Sequence, residues 1–286
     1  MQTPFHTDQI CLALRRVIEA EGLTVRVHSM FRSALNLETE ADMVTLLCAG
    51  RALQPNSILL KQDSMPELAV GQTLYLSTVG LTGPKGLVVD ISCARNVDLS
   101  IPRATRQPDA LLATARQLSS YIERNAGAQG VASLLQTPAN AYAAYLLPRM
   151  QAFRRAVRKK DRQEALAWTA RLAGCGVGLT PSSDDMFSGY LALLHACACI
   201  EGSLAADLCE EAARSTGRIS AAMLRSVGCG LASTAMLAFF DGLDGPWAEL
   251  KAPTQQIASF GETSGLDILT GMCFALEDAA ALSGGA

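Results

Sequence analysis

Histidine is scarce in this chain: among 286 residues there are only three, His6, His28 and His195. Serine and cysteine nucleophiles are usually activated by a nearby histidine that acts as a general base. No Ser-His-Asp or Cys-His arrangement can be recognised around these three residues, so the sequence does not predict a covalent nucleophile. His195 stands inside an apolar helical run, and we interpret it as a histidine of the core.

Charged residues are also few, at 18% of the chain, and the formal net charge is only −3. This balance gives no reason to expect nucleic acid or an anionic membrane as a partner. The N-terminal residues lack a signal-peptide pattern, and no run of about eighteen apolar residues indicates a membrane span. We therefore expect a cytoplasmic protein.

Paired metal-binding cysteines are missing as well. None of the nine cysteines forms a Cys-x-x-Cys pair, and Cys197, Cys199 and Cys229 have no histidine partner at zinc-site spacing. Most cysteines stand inside apolar runs. We therefore expect buried free thiols rather than disulfides, and no zinc site.

The chain does contain enough apolar side chains for a large core, since 49% of its residues are hydrophobic. A chain of this length forms one large or two medium-sized domains. Thr7–Glu21 has the spacing of a short amphipathic helix that stops at Gly22. From Leu23 to Ile101 apolar residues recur with a period of two, which predicts short strands separated by turns. The predicted strands cover residues 25–27, 43–47, 58–60, 74–76, 87–91 and 97–101.

After Pro108 the apolar residues follow the 3.6-residue period of helices. The predicted helices cover residues 109–125, 139–159, 161–173, 181–200, 204–240 with one break, and 263–282. The sequence therefore predicts an α+β protein. A small β-barrel-like or sandwich-like domain over residues 1–105 is followed by an α-helical domain over residues 106–286.

The most distinctive stretch is the glycine-rich motif Gly174–Asp185, which directly precedes an apolar helical run. Thr180 is a suitable N-cap, and Pro181 suits the first helical position, so Ser182–Asp185 would fill the first turn. The alternating glycines let the backbone approach a ligand closely. Free N–H groups at a helix N-terminus under such a loop are typical of a small-anion site. The alternative is a capped, buried helix that follows a flexible turn.

A second stretch, Gly261–Asp267, repeats part of this pattern. In both stretches a threonine lies two residues and an aspartate six residues after a glycine, so that Thr263 and Asp267 correspond to Thr180 and Asp184. Two such helix starts that face one cavity would form a two-sided site for a small carboxylate or phosphate. The alternative is that capping alone selects threonine, serine and aspartate here.

Two further polar residues stand in apolar surroundings. Asn36 lies in a strand-like run and is either a turn residue or an amide that faces a ligand. Arg225 lies in mid-helix and is either a bidentate partner for a carboxylate or phosphate, or a solvated side chain. Because ligand sites favour domain junctions, we expect Asn36 to lie close to Thr180.

At these motifs the sequence resembles the bacterial protein family that includes AllH, a subunit of oxamate carbamoyltransferase. The family pattern runs Gly-x-Gly-Pro-Gly-Leu-Thr-Pro-Ser-x-Asp-Asp and, much later, Gly-His-Thr-Ser-Gly-x-Asp. The chain matches it over Gly174–Asp185 and Gly261–Asp267, with Val177 in place of the usual proline and Glu262 in place of the usual histidine. The segments around Asn36 and Arg225 are similar too.

The resemblance implies a subunit that works with partner proteins in purine or allantoin nitrogen catabolism. It would move a carbamoyl group between oxalurate, phosphate, oxamate and carbamoyl phosphate. Such a transfer needs donors for a phosphate and a carboxylate but no covalent nucleophile. The predicted binding residues are Asn36, Gly176, Gly178, Thr180, Ser182, Ser183, Arg225, Gly261, Thr263 and Ser264, and the predicted catalytic residues are Asp184, Asp185 and Asp267.

Carboxylates beside an anion site repel the anion unless they face away or a cation intervenes. We expect no cofactor, although Mg²⁺ would suit such oxygen ligands. One alternative is therefore metal-assisted hydrolysis or transfer, with Asp184, Asp185 and Asp267 as ligands. The other is a non-catalytic binding or scaffolding subunit whose helical domain docks a partner. If the histidine of the family pattern transfers a proton, that role passes here to Glu262 or is lost.

Overall fold

The N-terminal part of the chain is a closed β-barrel. The computed structural model describes residues 3–284, and the chain divides into two compact units, one that ends at Leu99 and one that starts at Ser100. Among the described residues, the first unit contains helix α1 (Leu12–Glu21) and the strands β1 (Phe5–Cys11), β2 (Leu23–Met30), β3 (Ala34–Glu38), β4 (Met43–Leu47), β5 (Ser57–Leu60), β6 (Thr73–Leu76), β7 (Gly80–Gly83), β8 (Gly86–Asp90) and β9 (Arg95–Val97).

The strands of this unit pair in the order β5-β4-β3-β2-β6-β7-β8-β1, and β1 pairs with β5 again, which closes the barrel. The short strand β9 lies beside the C-terminal end of β1. Within the residues that the structure describes, closure pairs each of these eight strands on both sides. In β2, β3 and β6 the buried apolar side chains follow the predicted period of two: Val25, Val27, Leu35, Leu37, Leu74 and Leu76. In β4 and β5 consecutive apolar side chains are buried as well. The small barrel-like domain expected from the sequence is confirmed.

The predicted helix over Thr7–Glu21 is wrong at its N-terminal end, where the chain forms β1 instead. Thr7 and Ile10 pair with Leu60 and Ile58 of β5. The other edge of β1 pairs with β8 and β9. Strand pairing along both edges outweighs the helical spacing of the apolar residues in this segment. Helix α1 begins only at Leu12.

The second unit is helical. Among the described residues it contains α2 (Pro108–Asn125), α3 (Ala141–Arg158), α4 (Arg162–Leu172), α5 (Ser182–Ala196), α6 (Gly202–Ala213), α7 (Arg218–Gly228), α8 (Thr234–Asp241), α9 (Trp247–Ala258) and α10 (Ser264–Ser283), with 3₁₀ turns at Ala132–Leu135 and Gly242–Asp244. The predicted helix over 204–240 is interrupted twice rather than once. Helix α9 was not predicted, because it contains Pro253. None of the helices in residues 3–284 combines the length and apolar content needed to cross a bilayer.

Helices α5 and α10 pack with their backbones in contact. A Cβ atom added at Gly189 of α5 would lie 2.1 Å from the carbonyl oxygen of Ile268, and one added at Gly271 of α10 would lie 1.8 Å from that of Met186. Glycine is therefore required at both positions. The contact is reciprocal because both helices carry the pattern Ser-x-x-Asp-x-x-x-Gly, which starts at Ser182 in α5 and at Ser264 in α10.

A buried ionic cluster holds α3 and α5 against the C-terminal half of α10. Asp278 is fully buried and accepts hydrogen bonds from Arg154 Nε at 2.7 Å, from Arg158 Nη1 at 3.1 Å and from the Tyr190 hydroxyl at 2.8 Å. Burial and the neighbouring Asp278 carboxylate raise the pKa of Tyr190, so its hydroxyl stays protonated and donates. Both oxygens of Asp278 are satisfied, and the cluster is structural.

We expect Gly271→Ala to destabilise the helical unit by about 3 kcal/mol, because the added methyl group would overlap the backbone of α5. Gly127→Ala is the matched control, since nothing lies within 4 Å of a Cβ atom there. It should change the free energy of unfolding by less than about 1 kcal/mol. Urea unfolding measures both. Equal midpoints for the two variants would contradict a tight α5–α10 contact.

Candidate functional site

The glycine-rich motif folds back over the first turn of α5. The backbone N–H of Ser183 donates to the Cys175 carbonyl at 3.0 Å, and the Ser183 Oγ accepts from the Cys175 N–H at 2.8 Å. Pro181 occupies the N-cap, and no side chain caps the helix. The predicted N-cap role of Thr180 is therefore wrong, because the returning loop already supplies the partner that a capping side chain would provide.

The middle of this motif keeps its backbone donors unpaired. Gly176 has a φ of +134°, and a Cβ atom there would lie 2.5 Å from the Ser182 nitrogen, so only glycine fits between the loop and the helix. Gly178 has a φ of +96° and open space where a Cβ atom would stand. In residues 3–284, no hydrogen bond is donated by a backbone N–H between Gly176 and Thr180. Such a run of free N–H groups suits an anion.

Asp184 holds the loop in place. Its Oδ1 accepts from the Gly174 N–H at 2.7 Å and from the Ser183 hydroxyl at 3.3 Å. Its Oδ2 accepts from the hydroxyls of Thr216 at 2.5 Å and Ser220 at 2.7 Å, which lie just before α7 and in its first turn. These contacts give Asp184 a structural role in holding the loop, and its predicted catalytic role stays a prediction.

Asp185 and Asp267 form the unusual part of the site. Each is the fourth residue of its helix, in α5 and α10 respectively, and each is fully buried. Asp267 Oδ1 accepts from the Val131 N–H at 2.7 Å. In the described part of the chain, Asp267 Oδ2 and both oxygens of Asp185 have no hydrogen-bond partner. Buried carboxylate oxygens are rarely left unsatisfied, so three of them together mark a ligand site or a pair of acids that retains protons.

The surroundings of the two acids raise both pKa values. Burial raises the pKa of Asp185 well above its usual range and the charge of Asp267 adds to this, while the hydroxyls of Ser264 and Thr180 act in the opposite direction. Burial raises the pKa of Asp267 to about 6, against the lowering effects of the Val131 N–H and the Ser182 and Thr263 hydroxyls. Each acid is thus flanked by the first serine of the other helix.

The two motifs meet at a pair of hydroxyls. Thr180 Oγ1 lies 3.2 Å from Ser264 Oγ, and both side chains are partly exposed, whereas Asp185 beside them is buried. Both hydroxyls lie close enough to Asp185 to lower its pKa, although neither forms a hydrogen bond with it in the structure. The sequence comparison paired Asp184 with Asp267. In the structure, Asp185 and not Asp184 corresponds to Asp267. The position of the aspartate within its helix decides whether it faces the partner helix, and its distance from a glycine does not.

The other predicted site residues lie in separate surroundings. Arg225 forms an ion pair with Glu210, with Nε 2.9 Å from Oε2, on an exposed part of α7. Glu262 is exposed at the turn before α10, and Gly261 in that turn has a φ of +64°. His195 is half-buried, and burial lowers its pKa. Gly130–Val131 approaches Asp267 from the segment between α2 and α3, and no sequence pattern predicted this contact.

Asn36 lies in the middle of β3, so the turn interpretation is wrong. Its amide nitrogen donates to Ser29 Oγ at 3.0 Å, and its amide oxygen accepts from the Thr45 hydroxyl at 3.0 Å. These contacts link β2, β3 and β4 through side chains. A ligand role for Asn36 and its closeness to Thr180 stay predictions.

A metal site built on three carboxylates is not formed. Among the residues that the structure describes, no group of three or more histidine, cysteine, aspartate or glutamate side chains is placed to hold a metal ion. Both oxygens of Asp184 are engaged elsewhere. The alternative in which Asp184, Asp185 and Asp267 together bind a cation therefore finds no support.

We expect Asp184→Asn to lower the free energy of unfolding by about 3 kcal/mol, because an amide NH₂ would face donors that a carboxylate oxygen satisfies. Asp185→Asn is the matched comparison. It removes a buried acid without hydrogen-bond partners and should be neutral or stabilising. Thermal unfolding of the two variants at pH 7.5 measures the contrast. A comparable loss in both would mean that Asp185 also has a stabilising partner.

The raised pKa of Asp267 predicts a pH-dependent stability. The folded state holds a proton up to about pH 6, whereas an ordinary aspartate releases it near pH 3.8. This group's contribution to stability is therefore largest below about pH 4 and falls as the pH rises through 6, by about 3 kcal/mol in total. Asp267→Asn should remove this part of the slope between pH 4 and 7 in urea unfolding. Parallel pH profiles for the parent and the variant would contradict the assignment.

Comparison with known proteins agrees with the motifs described above. The family model described as oxamate carbamoyltransferase subunit AllH matches residues 172–276, which include both motifs. The model of the AllH family N-terminal domain matches residues 7–96, which cover most of the barrel. Comparisons with curated proteins and with solved structures gave no match. The two family matches together span most of the chain, and the protein belongs to the AllH family.

Proposed function

We propose that the protein is a subunit of an oxamate carbamoyltransferase, and that its helical unit binds a small carboxylate or phosphate where the two motifs meet. The observation that supports this most is the 3.2 Å contact between Thr180 and Ser264 beside carboxylate oxygens that are buried and unsatisfied. A protein core does not normally retain such groups unless a ligand or a reaction uses them.

The chemistry of carbamoyl transfer matches what the site offers. Oxamate, oxalurate and carbamoyl phosphate each combine an anionic group with a carbamoyl group. The unpaired N–H groups from Gly176 to Thr180 are donors for the anion. The hydroxyls of Thr180 and Ser264 lie next to this loop and are available to the carbamoyl end. No covalent nucleophile is needed for this transfer, and positioning supplies much of the catalysis.

Repulsion between the acids and a bound anion is reduced by their raised pKa values. The pKa of Asp185 lies well above its usual range and that of Asp267 is about 6. Burial thus disfavours the charged form of both acids. This weakens the electrostatic objection to an anion at the loop without a metal ion.

A partner subunit would also cover part of the loop. Val177 and Leu179 are apolar, and 64% and 44% of their surfaces are exposed, although they belong to the motif itself. We expect phosphate-dependent carbamoyl transfer only after assembly with the partner subunits. Turnover by this chain alone at the rate of the complex would contradict a subunit role, and binding without any effect on the complex would favour the scaffolding alternative.

Ligand binding is tested by thermal shift with oxamate, carbamoyl phosphate and inorganic phosphate. At about a hundred times the Kd, a ligand should raise the melting temperature by roughly 5 °C. Gly178→Val should abolish this shift, because its side chain would occupy the open space over the loop. Gly86→Val is the matched control, since that glycine also has a positive φ, +109°, and an open Cβ position, but lies in the barrel. Ligand shifts that persist in Gly178→Val would contradict the proposed site.

A further inference from the structure

We infer that the Thr180 and Ser264 hydroxyls, oriented by Asp185 behind them, accept hydrogen bonds from an NH₂ group of the ligand. The site would then select primary carbamoyl compounds over isosteres that lack this group. The inference rests on the proposed function, which concerns the anionic end of the ligand, and adds the feature that decides specificity at the other end.

The two hydroxyls lie at the surface of the site, and the acid lies behind them. Thr180 and Ser264 are partly exposed and lie 3.2 Å apart through their hydroxyl oxygens. Asp185 is fully buried, close to both hydroxyls, and both of its oxygens lack partners in residues 3–284. A ligand at the loop can therefore touch the hydroxyls but not the acid, which acts through them.

The protons of the two hydroxyls and of Asp185 decide what the site presents to a ligand. Each hydroxyl has one proton to donate and two lone pairs. If Asp185 is ionised, its two free oxygens attract the protons of both neighbouring hydroxyls. If Asp185 is protonated, the three groups close a ring in which Thr180 donates to Ser264, Ser264 donates to Asp185 and Asp185 donates to Thr180. In either state all the protons point inward, and the hydroxyls present only lone pairs to the ligand.

The lone pairs of the two hydroxyls require a ligand group that donates two hydrogen bonds. Two neighbouring acceptors match the two N–H bonds of one NH₂ group. The N–H groups from Gly176 to Thr180 lie in the same loop as one of these acceptors and match an anion. A small molecule that carries an anionic group next to a primary carbamoyl group fits both requirements. A methyl ketone of the same shape would leave the two acceptors unsatisfied, which disfavours binding.

Oxamate and pyruvate provide the test, because they differ only by NH₂ in place of CH₃. We expect the full-length protein, in complex with its partner subunits, to bind oxamate at least about tenfold more tightly than pyruvate in calorimetry. Ser264→Ala and Thr180→Val should weaken oxamate binding and leave pyruvate binding within about threefold. Asp185→Asn should also lower the oxamate preference, since an amide donates a proton to one of the hydroxyls. Ser226→Ala is the control, because its hydroxyl bonds to Ala222 within α7, and should keep the preference.

The outcomes separate the two proposals. Equal affinity of the parent protein for oxamate and pyruvate would overturn this inference and leave the anion site intact. An equal loss of affinity for oxamate and pyruvate in Ser264→Ala, with unchanged melting temperature, would also overturn it, because the hydroxyl would then hold the anion. Absence of binding by oxamate, pyruvate and phosphate alike would contradict the proposed function itself.

Discussion

The backbone contact between α5 and α10 is the constraint on which the rest of the helical unit depends. Gly189 and Gly271 allow each helix to touch the carbonyl oxygen of the other. Because the two glycines follow Asp185 and Asp267 by one helical turn each, the same contact brings the two acids together and buries them. It also places the first serine of each helix beside the acid of the other. The site is therefore a consequence of close helix packing, and a larger residue at either glycine would separate the two motifs.

The buried aspartates of this unit fall into two groups, those with hydrogen-bond partners and those without. Asp184 and Asp278 have all their oxygens satisfied, by the loop and the start of α7 in one case and by Arg154, Arg158 and Tyr190 in the other. They contribute to stability as charge-assisted hydrogen bonds do. Both carboxylate oxygens of Asp185 and the Oδ2 of Asp267 lack such partners in residues 3–284. Among the buried aspartates of the described residues, the absence of partners is therefore confined to the junction of the two motifs.

The sequence predicted the helix starts at Ser182 and Ser264 to within one residue, because glycine, hydroxyl and acidic residues have strong positional preferences there. It could not predict which of two adjacent aspartates faces α10, since that depends on how the helices cross. It also could not predict Val131, whose backbone N–H carries no sequence signal. In the barrel, the period of two correctly predicted short strands. The segment Thr7–Cys11 was wrongly predicted as helix, because its apolar residues also fit a helical period. Tertiary pairing decides such cases.

The position of Glu262 bears on how the site handles protons. In the pattern that the sequence resembles, a histidine stands here, which raised the question of whether Glu262 takes over its chemistry. The Glu262 side chain is exposed at the turn, whereas Asp267 of the same motif is buried, and burial raises its pKa to about 6. Its unsatisfied oxygen lies in the buried junction. Burial therefore gives this motif an acid that keeps its proton up to about pH 6, so a group that can exchange a proton remains in the motif although position 262 is not a histidine.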